Sequence, residues 1–174
     1  MMRHETEHNP WHTAADGQLH GAWRAIELET GGESQTEALG AAVARILPAG
    51  ATECLTGELG TGQTVFARGF AHGLGISEPV TSPTFTLVNS YEGRTVDGIP
   101  QVLHHFDLYR IGDAAELDDI GWEEFFDGQA VCLVEWPDRA DGRLPSGRFA
   151  VTIRRTGNGD DERCIRLSRE GDDA

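Results

Sequence analysis

The stretch from Gly57 to Thr64, GELGTGQT, carries the residue types from which a phosphate-binding loop is built. Gly57, Gly60 and Gly62 admit positive φ and close backbone approach, so successive N–H groups can curl around an anion ahead of a helix whose dipole favours negative charge. The pattern is G-x-x-x-x-G followed by Gln63 and Thr64, where the usual motif places lysine before the hydroxyl residue. Thr64 keeps the hydroxyl that can ligate magnesium. Gln63 offers a neutral, shorter amide in place of an ammonium. Charge-assisted hydrogen bonds are about twice as strong as neutral ones, so weaker nucleotide affinity and a slower phosphoryl step are expected. Taken alone, the string also fits a plain glycine-rich turn.

Two carboxylates are candidates for the remaining chemistry. In AVCLVEWP a continuous apolar run leads straight into Glu135. That is how phosphoryl-transfer sites present an acid to magnesium, usually through water. Without a phosphate loop nearby, Glu135 would be an ordinary strand-end charge. Asp107, in VLHHFDLYRI, is flanked by Phe106 and Leu108, and alternation puts its carboxylate on the face opposite those apolar side chains. In VTSPTFTLVNSYEG, Ser82 and Thr84 offer hydroxyls where a switch residue could sense a γ-phosphate or its metal; turn capping is an equal reading on spacing alone. His4, His8 and His12 have helical spacing, but Pro10 interrupts it and no acidic or cysteine ligands accompany it, so a loose tail is preferred over a metal site.

The elements that must position these groups follow from periodicity. Trp23 to Thr30 alternates as an opening strand, and Ser34 with Glu37 forms a capping box for a helix running through Leu39, Val43, Ile46 and Leu47. Thr52 to Thr56 is the strand that feeds the loop. The helix after the loop carries Phe66, Phe70 and Leu74 on one face and Arg68 at its surface. Phe85, Leu87 and Tyr91 alternate as a strand, Asp97-Gly98 marks a hairpin turn, and a further strand spans Val102 to Ile111. Asp113 with Glu116 caps a helix through Leu117, Ile120, Trp122, Phe125 and Phe126. Phe149 to Arg155 and Arg163 to Leu167 form a closing hairpin joined through Asn158-Gly159.

With 174 residues, 39% hydrophobic and 25% charged, the chain has the length and composition of one globular domain. That domain is expected over residues 22–170, between a polar tail at 1–21 and a loose acidic end at 171–174. All 14 basic residues are arginine, so no other lysine can replace the one missing at Gln63. An arginine from elsewhere could, because its fork grips phosphate bidentately. Arg110 and Arg139 can approach phosphates, although exposed arginines more often only solvate a surface. A net charge of −15 argues against broad contact with a nucleic-acid backbone. Cys54, Cys132 and Cys164 are far apart with no C-x-x-C pair, as expected of reduced cysteines in a cytoplasmic protein. No long apolar span or signal peptide is seen, so neither membrane insertion nor secretion is expected.

Taken together and in this order, GELGTGQT, SPTFTLVNSYEG, HFDLYRI and LVEWPDR resemble the bacterial TsaE family, the small ATPase subunit of the machinery that makes threonylcarbamoyladenosine in transfer RNA. The likeness covers roughly Gly31 to Arg155. It implies an α/β P-loop NTPase-like three-layer fold with a mixed parallel and antiparallel central sheet, and ATP and magnesium (Mg2+) as ligands. By matched position, Leu59, Gly60, Thr61, Gly62, Gln63 and Thr64 would cradle the phosphates, while Thr64 and Glu135 would hold the metal. Thr84 would belong to a switch-like loop, and Asp107 would be the carboxylate needed for hydrolysis. Glu33 and Thr36 match a helix start near the nucleotide, and Trp136 the tryptophan beside the metal-binding acid. The implied partner is the TsaB–TsaD heterodimer, reset by ATP turnover, with no direct hold on transfer RNA. The same family carries lysine at the position of Gln63, which leaves open a weakly working site, a compensating arginine, or a scaffold that binds its partners without hydrolysis. A nucleotide kinase has little support, since no segment suits an acceptor site or an arginine-bearing lid.

Overall fold

The computed structural model describes residues 25–83 and 85–170. Chain order is β1 (Ile26–Thr30), α1 (Glu33–Ile46), β2 (Thr52–Gly57), α2 (Gln63–Gly73), β3 (Val88–Arg94), β4 (Pro100–Asp107), β5 (Val131–Glu135), β6 (Phe149–Arg155) and β7 (Arg163–Arg169). The strands make one sheet in the order β1-β7-β6-β2-β5-β4-β3. At its centre β2 pairs in parallel with β5 and β6, and β5 in parallel with β4. The flanking strands β3, β7 and β1 are antiparallel to their neighbours, so the sheet is mixed as expected.

β5 is buried along its whole length, which explains its unbroken apolar run. On one face of the sheet α1 and α2 cover a core that includes Val43, Leu55, Phe66, Phe70, Leu133 and Ile153. Each of the fully buried Phe66 and Phe70 side chains contributes about 1.5–3 kcal/mol through burial. The two helices approach closely because Gly69 faces α1: a Cβ there would lie 1.9 Å from the Glu37 carbonyl oxygen. On the other face, short 3-10 turns at Ala114–Ile120, Trp122–Phe125 and Pro137–Ala140 close a second core. Its centre is Phe106, in edge contact with Trp122 and Phe125 at 4.9 and 5.2 Å between ring centroids.

Several local expectations need correction. α1 begins at Glu33 with Gly32 as N-cap and no side-chain cap, so Ser34 and Glu37 make no capping box. Thr36 instead donates to the Gly32 carbonyl, and the Gln35 side chain accepts from the Gly31 amide. The strand expected from Phe85 starts only at Val88, because Leu87 adopts φ 63° and turns the chain; Phe85 lies in that turn, 87% exposed. β4 stops at Asp107 rather than Ile111, since the Leu108 carbonyl accepts from the Ile111 amide at 3.0 Å and closes a turn. The Asp113–Glu116 capping box is present, but it opens a 3-10 turn, and Gly121 at φ 69° breaks the expected α-helix in two. The strand expected from Trp23 is described from Ile26 onward, and the polar and acidic ends, with His4, His8 and His12, lie outside the described residues.

Candidate active site

The parallel strands β2, β5 and β4 end at the same edge of the sheet, where an open α/β sheet leaves its crevice. Glu135 is level with Leu55 of β2 on one side and with Asp107 of β4 on the other. A cavity of about 450 Å³ opens there, lined by Leu59, Gly60, Gly62, Gln63 and Thr64 of the loop and by Asp107, Glu135 and Trp136 of the strand ends. Ser82, Tyr109 and Arg110 complete its wall. Thr61 is turned away, its hydroxyl donating to the Glu58 carbonyl at 2.8 Å. Glu33 and Thr36 do not line the cavity: Glu33 faces Arg68 at 3.8 Å, and Thr36 is buried against the Thr30 hydroxyl at 2.8 Å. Thr84 lies outside the described residues.

Two of the three loop glycines turn as expected, while Gly57 ends β2 without a positive φ and serves close approach, a Cβ there lying 2.6 Å from the Thr61 hydroxyl oxygen. Gly60 and Gly62 adopt φ 77° and 105°, a conformation that side chains disfavour. Gly62 is the N-cap of α2, with no side chain capping the helix. The first-turn amides, which have no acceptor within a helix, therefore stand at the cavity that Gly62, Gln63 and Thr64 line. Two arginines brace the loop from the β6–β7 hairpin. Arg155 donates to the Gly60 carbonyl at 3.1 Å and Arg163 to the Thr61 carbonyl at 2.7 Å. With these carbonyl oxygens engaged from outside, the loop is held by groups that sequence spacing could not reveal.

Gln63 is folded into the loop. Its Nε2 donates to the Gly57 carbonyl at 2.6 Å, and its Oε1 is buried without a partner among the described residues. The side chain therefore ties the two ends of the loop together and delivers no charge to the cavity.

Both acids are held in place. The Asp107 carboxylate accepts from the Ser82 hydroxyl and, at 3.0 Å, from the Tyr109 amide. Glu135, 3% exposed, accepts from His105 Nε2 at 2.8 Å. His105 is fully buried, and its Nδ1 has no partner among the described residues. This histidine was missed from sequence, although a signal existed: in β4 it shares a face with Asp107, two residues on. Next to Glu135, Trp136 adopts φ 60° and packs on Tyr109 at 5.0 Å between centroids. Such a left-handed residue is strained unless its surroundings enforce it, and such residues concentrate at functional sites.

The donor set fits magnesium, which takes hard oxygen ligands, keeps several waters and commonly uses one or two carboxylates plus phosphate oxygens. Thr64 and Glu135 line one cavity and supply a hydroxyl and a carboxylate. Among the described residues there is no group of three or more His, Cys, Asp or Glu able to hold a metal ion without such help. Away from the site, burial raises the Glu53 carboxyl well above its usual range and pushes the Cys54 and Cys132 thiols up to about 12. No described helix is long and apolar enough to cross a membrane.

A mixed sheet whose central strand feeds a glycine loop and helix, with acids at the ends of the next two parallel strands on one side, β5 and β4, defines an α/β protein of the P-loop class. The family model for threonylcarbamoyl adenosine biosynthesis protein TsaE matches residues 30–165, and the chain belongs to that family. The tRNA threonylcarbamoyladenosine biosynthesis protein TsaE of Bacillus subtilis is 41% identical over 149 residues, covering 86% of this chain and 85% of the relative. The protein of that name from Treponema pallidum is 39% identical over 123 residues, 71% of this chain and 87% of the relative. The crystal structure of Bacillus subtilis YdiB is similar with a TM-score of 0.69 and 35% identity, covering 87% of this chain and 89% of that one.

Proposed function

We propose that this chain is an accessory, magnesium-dependent ATPase of tRNA threonylcarbamoyladenosine biosynthesis that acts on the TsaB–TsaD heterodimer, with turnover reduced by Gln63. One observation carries the proposal: a single cavity brings together the loop, the Thr64 hydroxyl, and the Asp107 and Glu135 carboxylates. Family membership supplies the pathway.

In this scheme the amides ahead of α2 receive the β and γ phosphates, and the helix dipole adds to their pull. Thr64 and Glu135 hold magnesium, which when bound neutralises charge developing on the phosphates. His105 keeps the Glu135 carboxylate oriented. Asp107, steadied by Ser82 and the Tyr109 amide, accepts a hydrogen bond from the water that attacks the γ-phosphorus. Trp136 and Tyr109 wall the site against solvent. The charge of −15 suits docking on a protein better than gripping transfer RNA.

Gln63 favours a second reading, since its amide is spent on Gly57. A scaffold that binds TsaB–TsaD without turnover would keep the fold and lose the chemistry. Phosphate release measured with and without TsaB–TsaD separates the two. ATPase action requires release that the partners stimulate and that Asp107→Asn abolishes. A stoichiometric complex with no release above background would establish the scaffold.

A further inference from the structure

Among the described residues, the loop side of the cavity holds no cation where a triphosphate needs one. Two carboxylates line it, Asp107 and Glu135, and the loop position that ordinarily carries lysine holds an amide already committed to the Gly57 carbonyl. The net charge of −15 adds a field that opposes an incoming polyanion. Magnesium offsets part of this, but a metal held by Thr64 and Glu135 does not replace the point charge that a loop lysine places on the terminal phosphates.

Among the described residues, Arg110 is the single cationic residue of the cavity wall. It is exposed, and its guanidinium carbon lies 4.9 Å from the centre of the Phe85 ring, which is itself 87% exposed. A ring face holds a guanidinium by its quadrupole and leaves every N–H donor unspent. The other arginines near the loop are committed. Arg155 and Arg163 donate to loop carbonyls, Arg139 to the Ile111 carbonyl, and Arg68 faces Glu33. Among the described residues, Arg110 has no carboxylate or carbonyl partner. Arg45 shares that property, but it stands in the last turn of α1, away from the cavity wall.

We propose that Arg110 supplies the terminal phosphates of the nucleotide with the positive charge that Gln63 cannot, moving from the Phe85 ring onto phosphate oxygens. The assignment rests on the nucleotide reading above and deepens it: the charge moves from the first turn of the helix to the chain just beyond β4. A planar fork suits the task, since it can take two phosphate oxygens at once. Because Arg110 lies three residues after Asp107, grip on the phosphate and placement of the water-holding acid come from one short segment.

Calorimetric titration with ATP-Mg, inorganic tripolyphosphate and AMP tests this on the wild-type chain, Arg110→Met, Gln63→Lys and the double variant. Loss of a charged hydrogen-bonding partner should weaken ATP and tripolyphosphate binding about tenfold or more in Arg110→Met and leave AMP unchanged. In the Gln63→Lys background the same substitution should cost less than about threefold, because two cations then compete for one role. Arg110→Lys should recover part of the affinity. Equal ATP affinity in wild type and Arg110→Met would overturn the assignment, as would an equal loss for AMP or an undiminished loss in the Gln63→Lys background. A wild-type chain that binds neither ATP nor tripolyphosphate would overturn the nucleotide reading itself, and the role of Arg110 with it.

Discussion

Replacing His105 by alanine should destabilise the protein and loosen the acid proposed to hold magnesium in one step. His105 is fully buried and Glu135 almost so, and their 2.8 Å contact is the one hydrogen bond that carboxylate makes among the described residues. A hydrogen bond to a charged group is worth about 1.5–3 kcal/mol, and its loss strands a buried acceptor. The space left by the ring adds on the order of 1 kcal/mol. The sum is about 2.5–4 kcal/mol, or a fall in Tm of roughly 5–16 °C for a chain of this length. Urea unfolding followed by tryptophan fluorescence measures it, provided the slope with denaturant is unchanged. His105→Gln, which can place a donor near the position of Nε2, should restore at least half of the loss and much of the magnesium-dependent ATP affinity. An alanine variant within about 0.5 kcal/mol of wild type, or a glutamine variant as unstable as the alanine one, would refute the claim that this pair holds the site.

Three other outcomes are expected. Gln63→Lys should raise ATP affinity by about 10- to 150-fold, the worth of a charged hydrogen bond in place of an amide spent on Gly57, with no change for AMP; equal affinities by calorimetry would contradict the handicap assigned to Gln63. Glu53 has a buried Oε1 with no partner among the described residues and is surrounded by Val43, Ile46, Leu47 and Phe149, so Glu53→Leu should stabilise the fold by about 1–3 kcal/mol. Burial raises the Glu53 carboxyl in the folded state, so as pH climbs above about 4.5 the unfolded chain releases a proton that the folded chain keeps, and wild-type stability should fall relative to Glu53→Leu; a gap independent of pH would refute this. Native alkylation at pH 8 should label the half-buried Cys164 well before Cys54 and Cys132, whose thiols burial holds at about 12, and peptide mass mapping reads the order.

What was legible in the sequence was what one element dictates by itself. The β2-loop-α2 unit showed in the glycine spacing between a short strand and an apolar helix face. The β5 run ending in Glu135 and the alternation around Asp107 were equally local signals, and the parallel register of β4, β5 and β2 then set both acids beside the loop. Groups joined only by tertiary structure could not be read. Arg155 and Arg163 reach the loop across about a hundred residues of sequence, which no spacing rule anticipates. Leu87 looked like a strand residue because its side chain type is apolar, and only its left-handed backbone reveals the turn that exposes Phe85. The matched positions Glu33 and Thr36 are placed by α1, which begins two residues earlier than the misread capping box implied; Thr36 is buried against β1 and Glu33 is at the surface.

A crystal structure with manganese and a non-hydrolysable ATP analogue addresses the central claim most directly, because manganese takes the same oxygen ligands as magnesium and its anomalous signal locates it. The expected map has the triphosphate on the amides of Gly60 to Thr64 and one manganese peak shared by the Thr64 hydroxyl, the Glu135 carboxylate and the phosphates. A nucleotide outside this cavity, or a manganese peak with neither Thr64 nor Glu135 beside it, would contradict it.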